Sequence, residues 1–393
     1  MKILLIILLI TLMGCSGGGK QSHEDLPYID VRKNYPEKEI NLTDIADVTY
    51  LYLKSDNDDY LYSGGINYVT QNTIVVVSGS SNGVLFFSKD GNPKSRFDRR
   101  GQGPEEYTRM ADIMYDEATD DVYISQGYSN YINVYSSSGE YKRRLTLPQR
   151  NINNQMVLFD DRSILVYDDT KLQQKISKKY SGDYTTFIEP IDSTFFLVSK
   201  IDGAVLEYIN IPNRNIDLSF SSGDGEFVFY GSPNFTRVRK CPDGFFLYNP
   251  ETDTVFLYSK DKSLTPYLHK KPLLSDLDHK LAMDICMDAG KYQFMSVIGD
   301  LANGGASSAY YARDKNTGEI FRQKIILPDY KEKDFCINPR LLNYYEKEYH
   351  FELDLFELKQ AYRENRLHGK LKELVATLNE NEDNNVFMLV NFK

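Results

Sequence analysis

From Val48 onward the chain keeps returning to one pattern. A short apolar run ends near an aromatic, a polar turn follows, often with glycine, and a second apolar run resumes. Val84–Phe87 passes through Ser88-Lys89-Asp90-Gly91 into Lys94–Phe97, and Ile132–Tyr135 through Ser136-Ser137-Ser138-Gly139 into Tyr141–Leu147. Phe195–Val198, Val255–Tyr258 and Ala309–Ala312 lead in the same way into Val205–Ile211, Leu264–Leu268 and Ile320–Ile326. Such runs, joined by turns in which glycine takes positive φ and Asp or Asn tolerates it, predict antiparallel hairpins.

The turns centre near residues 91, 139, 203, 262 and 318, at intervals of 48, 64, 59 and 56 residues. A loose beat of this length, with several strands per unit, predicts a β-propeller. A sandwich would give turn signals roughly every 8–12 residues without the longer beat. A sixth unit comes from the ends. Val386–Phe392 is a strong terminal strand and Val48–Leu53 a strong initial one, and their pairing would close the ring and remove an open edge. The expectation is an all-β, six-bladed propeller over residues 47–393, with blades near 64–98, 109–148, 155–212, 233–270, 285–328 and 335–393 plus 47–54.

One segment has a different period. Leu367, Leu371, Leu374 and Leu378 recur at helical spacing among charged residues, which predicts a helical insertion over about 356–380, split near Gly369. It would cover a face or edge of the last blade; a docking helix for a partner is the alternative.

The first residues carry a different message. Lys2, the apolar run Ile3–Ile10 and a small residue before Cys15 describe an export signal, too short to span a bilayer, which needs about 20 apolar residues. Leu12-Met13-Gly14-Cys15 resembles a bacterial lipobox, which implies removal of residues 1–14 and lipidation of Cys15. Residues 15–46 then form a tether and lead-in, beginning with the flexible Ser16–Pro27. The net charge of −10 argues against nucleic acid as a partner and against attraction to anionic headgroups, so the acyl chains are the expected membrane contact. Cys241, Cys286 and Cys336 fit neither a zinc pattern nor a CxxC motif; buried thiols are the favoured reading, with one disulfide as the alternative. The chain holds 30 Tyr and 21 Phe but no Trp, a balance that leans towards strands.

The lipobox, Val-Thr-Tyr-Leu-Tyr-Leu at 48–53, Phe-Phe-Ser-Lys-Asp-Gly at 86–91, Arg-Arg-Gly-Gln-Gly-Pro-Glu-Glu-Tyr at 99–107 and the ending at 382–393 together resemble the six-bladed propeller lipoproteins of anaerobic Gram-negative bacteria. Their fold is similar to NHL-repeat and TolB-like propellers. The resemblance implies a lipid-anchored protein of the cell envelope, on the outer membrane, and implies little about activity. A polar insertion near Lys171–Asp183 departs from a compact third repeat.

The loop at 99–107 offers the best candidate ligand site: Arg99, Arg100, Gln102, Glu105, Glu106 and Tyr107, with Arg109 beyond it. Two glycines allow close backbone approach, Pro104 stiffens the exit, and both charge signs meet there. A tight interblade connection whose charges pair with each other is the competing reading. It matches neither a phosphate-binding loop nor a dinucleotide fingerprint.

The acidic pairs Asp120-Asp121, Asp160-Asp161 and Asp168-Asp169 read as turns. Asp56, Asp58 and Asp59 lack the remaining ligands of a calcium loop. His23, His269, His279, His350 and His368 form no metal motif. Three functions remain open. The first is a non-catalytic module binding a protein or glycan ligand. The second is an NHL-like lyase or hydrolase with a divalent ion, calcium for example, in the channel. The third is a structural component of the envelope. Several carboxylates with a histidine at the channel mouth would favour the enzyme, an apolar aromatic patch the binding module.

Overall fold

In the computed structural model each of the five recurring turns joins the third and fourth strands of a four-stranded antiparallel blade. Residues 26–393 are described, except 56–57, 80–82, 127–128, 152–154, 169–193, 212–219, 224–227, 232–236, 250–251, 274–275, 277–280, 284–286, 300–306, 332, 340–342, 346–347 and 381. Cys15, Cys286, His23, His279 and the Lys171–Asp183 insertion lie outside the described residues.

The blades begin with inner strands Ile66–Val69, Met110–Asp116, Gln155–Leu158, Val238–Cys241, Met287–Ala289 and Asn343–Tyr345. These stand beside one another in the ring order 6, 1, 2, 3, 4, 5. Blade 6 is closed as expected: Val386–Phe392 pairs antiparallel with Ala46–Tyr52, from Val386 opposite Tyr52 to Phe392 opposite Ala46. The six-bladed propeller read from the sequence is the observed fold.

The core follows from the ring. Six buried apolar clusters occupy the wedges between neighbouring blades among the described residues. Aromatics fill these wedges. Phe86 meets Tyr115 edge-on at 5.3 Å between blades 1 and 2, and Phe159 lies 5.3 Å from Tyr258 between blades 3 and 4. Broad rings suit wedges that widen outward, and their packing accounts for many of the tyrosines without any ligand.

The lead-in does more than connect. Tyr28–Asp30 adds a parallel strand to the outer edge of blade 4, and Glu37–Asn41 adds one to blade 5. Ile29 and Ile40 are the buried anchors of these two short strands. Each covers an edge that would otherwise present unpaired backbone groups. A further hairpin, Phe220–Gly223 with Val228–Gly231, lies between blades 3 and 4 in sequence.

The insertion in blade 6 forms two helices, Leu355–Arg363 and Gly369–Thr377. Asp354 caps the first by accepting the Glu357 N–H at 2.9 Å. Leu358, Leu371 and Val375 are buried against the wedge between blades 5 and 6, so the helices cover the propeller as expected.

At the third-to-fourth strand turns, φ is +83° at Gly91, +84° at Gly139, +83° at Gly203 and +75° at Gly318. Blade 4 places Lys262 at the same point, with φ +67°. A side chain there costs about 1 kcal/mol or more. The Lys262 Nζ–Glu207 contact at 3.2 Å is exposed and returns little. Lys262→Gly is therefore expected to stabilise the protein by about 0.5–1 kcal/mol, read as a higher urea midpoint at unchanged slope.

Candidate functional site

Consecutive strands in a blade alternate in direction, so its loops divide between two faces. The turns after the inner strands lie on one face with the third-to-fourth strand turns, and the loops that enter each blade lie on the other. A cavity of about 770 Å³ follows the inner strands of blades 1 to 4 and reaches the first of these faces at Gln71, Asn72 and Glu117. Its volume falls within the range of small-molecule sites, about 300–1,000 Å³.

The inner strands place acids and amides at this cavity by using polar side chains to satisfy their own exposed edges. Asp112 reaches from blade 2 to blade 3, where its Oδ2 accepts the Met156 N–H at 2.9 Å, and its Oδ1 accepts the N–H of Ile113 at 2.9 Å. Gln155 continues the series, its Oε1 accepting the Arg237 N–H of blade 4 at 2.5 Å. In blade 1, Asn67 Oδ1 accepts the N–H of Val77 at 2.6 Å. Backbone groups at a sheet edge need partners, and here the partners are also the polar lining of the cavity.

Two further acids stand towards the mouth. Asp116 Oδ2 meets Lys200 Nζ of blade 3 at 2.9 Å. Glu117 accepts the Thr73 hydroxyl at 2.5 Å and the Asn72 N–H at 3.1 Å from blade 1. Arg239 and Lys240 line the wall contributed by blade 4. Tyr68, Ile113, Met156, Val157, Leu158 and Phe245 supply apolar surface. Among the described residues no histidine lines the cavity, and no group of three or more His, Cys, Asp or Glu side chains gathers as a metal site would.

Asp112 has unusual chemistry. Burial raises its carboxyl to about 7, against the opposing pull of the two backbone N–H groups. Its native value thus lies above its unfolded value, so the native state binds the extra proton between about pH 4 and 7. Stability contributed by this group is present below that window and is lost as pH rises through it, by at most about 1.4 kcal/mol per pH unit. Asp112→Asn cannot ionise, but it gives up one backbone hydrogen bond. The variant is expected to be less stable than the natural chain at pH 5 and to close that gap by pH 8. Urea midpoints at the two values measure this; a gap that stays constant would show that Asp112 titrates normally.

None of the seven residues singled out at 99–109 lines the cavity. Their loop enters blade 2 from blade 1 and lies on the opposite face. Arg100 is paired with Asp98, Arg99 Nε donates to the Gly139 carbonyl at 2.7 Å, and Glu106 folds back onto the Gly103 N–H at 2.8 Å. The Glu105 and Glu106 carbonyls accept the Tyr135 hydroxyl at 2.9 Å and Asn133 Nδ2 at 3.1 Å. Tyr107 is buried in the wedge between blades 1 and 2, while Gln102, Glu105 and Arg109 are exposed. The loop's backbone and several of its charges are engaged in joining two blades.

Cys241 is buried and unpaired, and burial pushes its thiol up to about 12. Cys336 is also unpaired and half-buried. No described helix is long and apolar enough to cross a membrane.

A family model described as a domain of unknown function (DUF4934) matches residues 26–391, nearly the whole described chain. No curated protein matches. Among solved structures, the chain is similar to a protein of Bacteroides fragilis provisionally described as exported, at 15% identity and TM-score 0.60, covering 93% of this chain and 99% of that one. That likeness shows the fold. A member of the DUF4221 family from Bacteroides vulgatus matches at 11% identity and TM-score 0.45, over 89% of this chain and 97% of that one. An inactive variant of virginiamycin B lyase from Staphylococcus aureus, with quinupristin, matches at 9% identity and TM-score 0.38, over 88% and 100%. These last two scores are too low to carry an argument.

Proposed function

We propose that this chain, which belongs to the DUF4934 family, is a ligand-binding propeller held at the cell envelope of a Gram-negative bacterium by lipid on Cys15. The observation that carries the binding role is the channel cavity, whose polar lining is held in place by hydrogen bonds between inner strands. A site built on the rigid inner strands of a closed ring needs little ordering on binding, which favours affinity. The extracytoplasmic setting is supported by the lipobox-like start and by the exported description of the Bacteroides fragilis neighbour.

Two measurements test these parts separately. A thermal-shift screen of peptides and saccharides should find compounds that raise the melting temperature with concentration, and Val157→Trp, which fills the cavity wall, should abolish the shift. A hit unaffected by Val157→Trp would move the site elsewhere. For the anchor, cells fed radiolabelled palmitate should label the natural chain and leave Cys15→Ser unlabelled.

One observation favours a second reading, an NHL-like propeller enzyme. A carboxyl near pH 7 in a cavity suits general acid–base work. Turnover of a peptide or ester substrate that disappears in Asp112→Asn would establish it.

A further inference from the structure

The charges on the cavity wall are sorted by blade. Asp112, Asp116 and Glu117 come from blade 2, whereas Arg239 and Lys240 come from blade 4. Blade 3 stands between them and contributes the apolar strip Met156, Val157 and Leu158, with Gln155 at its start. The three acids differ in what they already hold. Asp116 faces Lys200, and Glu117 takes hydrogen bonds from Asn72 and Thr73 with Lys94 at 4.0 Å. Asp112 takes two backbone N–H groups, both neutral donors, which leaves its negative charge for a cation to balance. Tyr68 is the other ionisable group close to it on the blade 1 wall, and its hydroxyl is held neutral by burial and by Asp112 and Asp116.

We propose that the cavity takes a small zwitterion of the peptide class, its ammonium group on Asp112, its carboxylate towards Arg239 and Lys240, and its side chains along Met156, Val157 and Leu158. This rests on the reading of the cavity as the binding site. An ammonium ion desolvated against this half-buried carboxylate makes a charge-assisted hydrogen bond, stronger than one to a neutral group. The opposed cationic wall separates a peptide from a simple amine, whose other end carries no anion to meet Arg239 and Lys240. The ammonium requires Asp112 as carboxylate, so the native protein must release a proton on binding near neutrality. Below pH 7 that proton competes, while near pH 8 the peptide's own amine begins to lose its charge, so affinity should weaken about fourfold from pH 8 to pH 6.

The test is calorimetric titration of the purified chain with the dipeptide Leu-Phe, its N-acetyl derivative and its C-terminal amide. Leu-Phe should bind, N-acetylation should cost at least tenfold, and amidation a smaller factor. Asp112→Asn should remove both the pH dependence and the penalty for N-acetylation. Lys240→Gln, at an exposed position, should reduce the penalty for amidation. Equal binding of the three compounds, or an affinity unchanged from pH 6 to 8, overturns the proposal without relying on any variant. If maltose binds and Leu-Phe does not, the cavity remains a site and the zwitterion is wrong. If neither binds at millimolar concentration, both readings fail.

Discussion

Met388→Asp is expected to abolish the cooperative unfolding transition. Met388 sits at the centre of the closing strand, fully buried, opposite Tyr50 on one side and Phe351 on the other. Truncating a buried methionine costs about 2–5 kcal/mol, and placing an unpaired carboxylate in the same space adds several more. The sum matches the whole stability of a typical domain, about 5–15 kcal/mol. The site also decides whether the ring closes, because Val386–Phe392 joins the N-terminal strand to the rest of blade 6. Tyrosine fluorescence through a urea titration measures the outcome. Thr49→Asp, exposed on the neighbouring strand, is the control and should shift the midpoint by less than about 1 kcal/mol. A cooperative Met388→Asp transition close to the natural one would mean that the propeller does not depend on its latch.

That latch was legible because both partners are long apolar strands at opposite ends of the chain. The blades were legible for a related reason: each third-to-fourth strand turn repeats the same backbone demand, and the sequence answers with glycine four times out of the five turns. The lead-in strands gave no such signal. Glu37–Asn41 buries only Ile40, and its stability comes from an edge of blade 5 that is remote in sequence. Pairing onto a preformed edge asks for backbone hydrogen bonds and one anchor, which leaves no period to detect.

The cavity was illegible for a geometric reason. Its lining comes from four inner strands that are far apart in sequence, each contributing a few residues with no shared motif. One local signal was present. Asp112 sets an acid within the inner strand Met110–Asp116, where it reaches the Met156 N–H of the next blade. The glycine-proline loop drew attention instead because its residues are contiguous. As Glu106 folds back there, a Cβ on Gly101 would fall 1.9 Å from its carboxylate and one on Gly103 3.1 Å from it.

Gly91→Ala is expected to cost at least about 3 kcal/mol, whereas Gly318→Ala at the equivalent turn of blade 5 should cost about 1. Both residues have positive φ, so both substitutions carry the left-handed penalty of about 1 kcal/mol. They differ in what surrounds them. A Cβ on Gly91 would lie 2.2 Å from the Tyr52 carbonyl oxygen, and nothing lies within 4 Å of one on Gly318. Tyr52 belongs to the outer strand of blade 6, so relieving the clash means moving blade 1 away from the blade that closes the ring. The Lys54 N–H bond to the Gly91 carbonyl, 2.9 Å long, would be strained by the same movement. The seam is also held by the pairing of Lys89 with Glu348, whose carboxyl is kept down at about 2 by hydrogen bonds from His350 and Lys89. Comparing one substitution at two equivalent turns cancels the backbone term and leaves the contact between blades. Equal losses in urea midpoint would mean that these glycines serve turn conformation alone, and that the blades are held together by their wedges of side chains without help from the backbone at the rim.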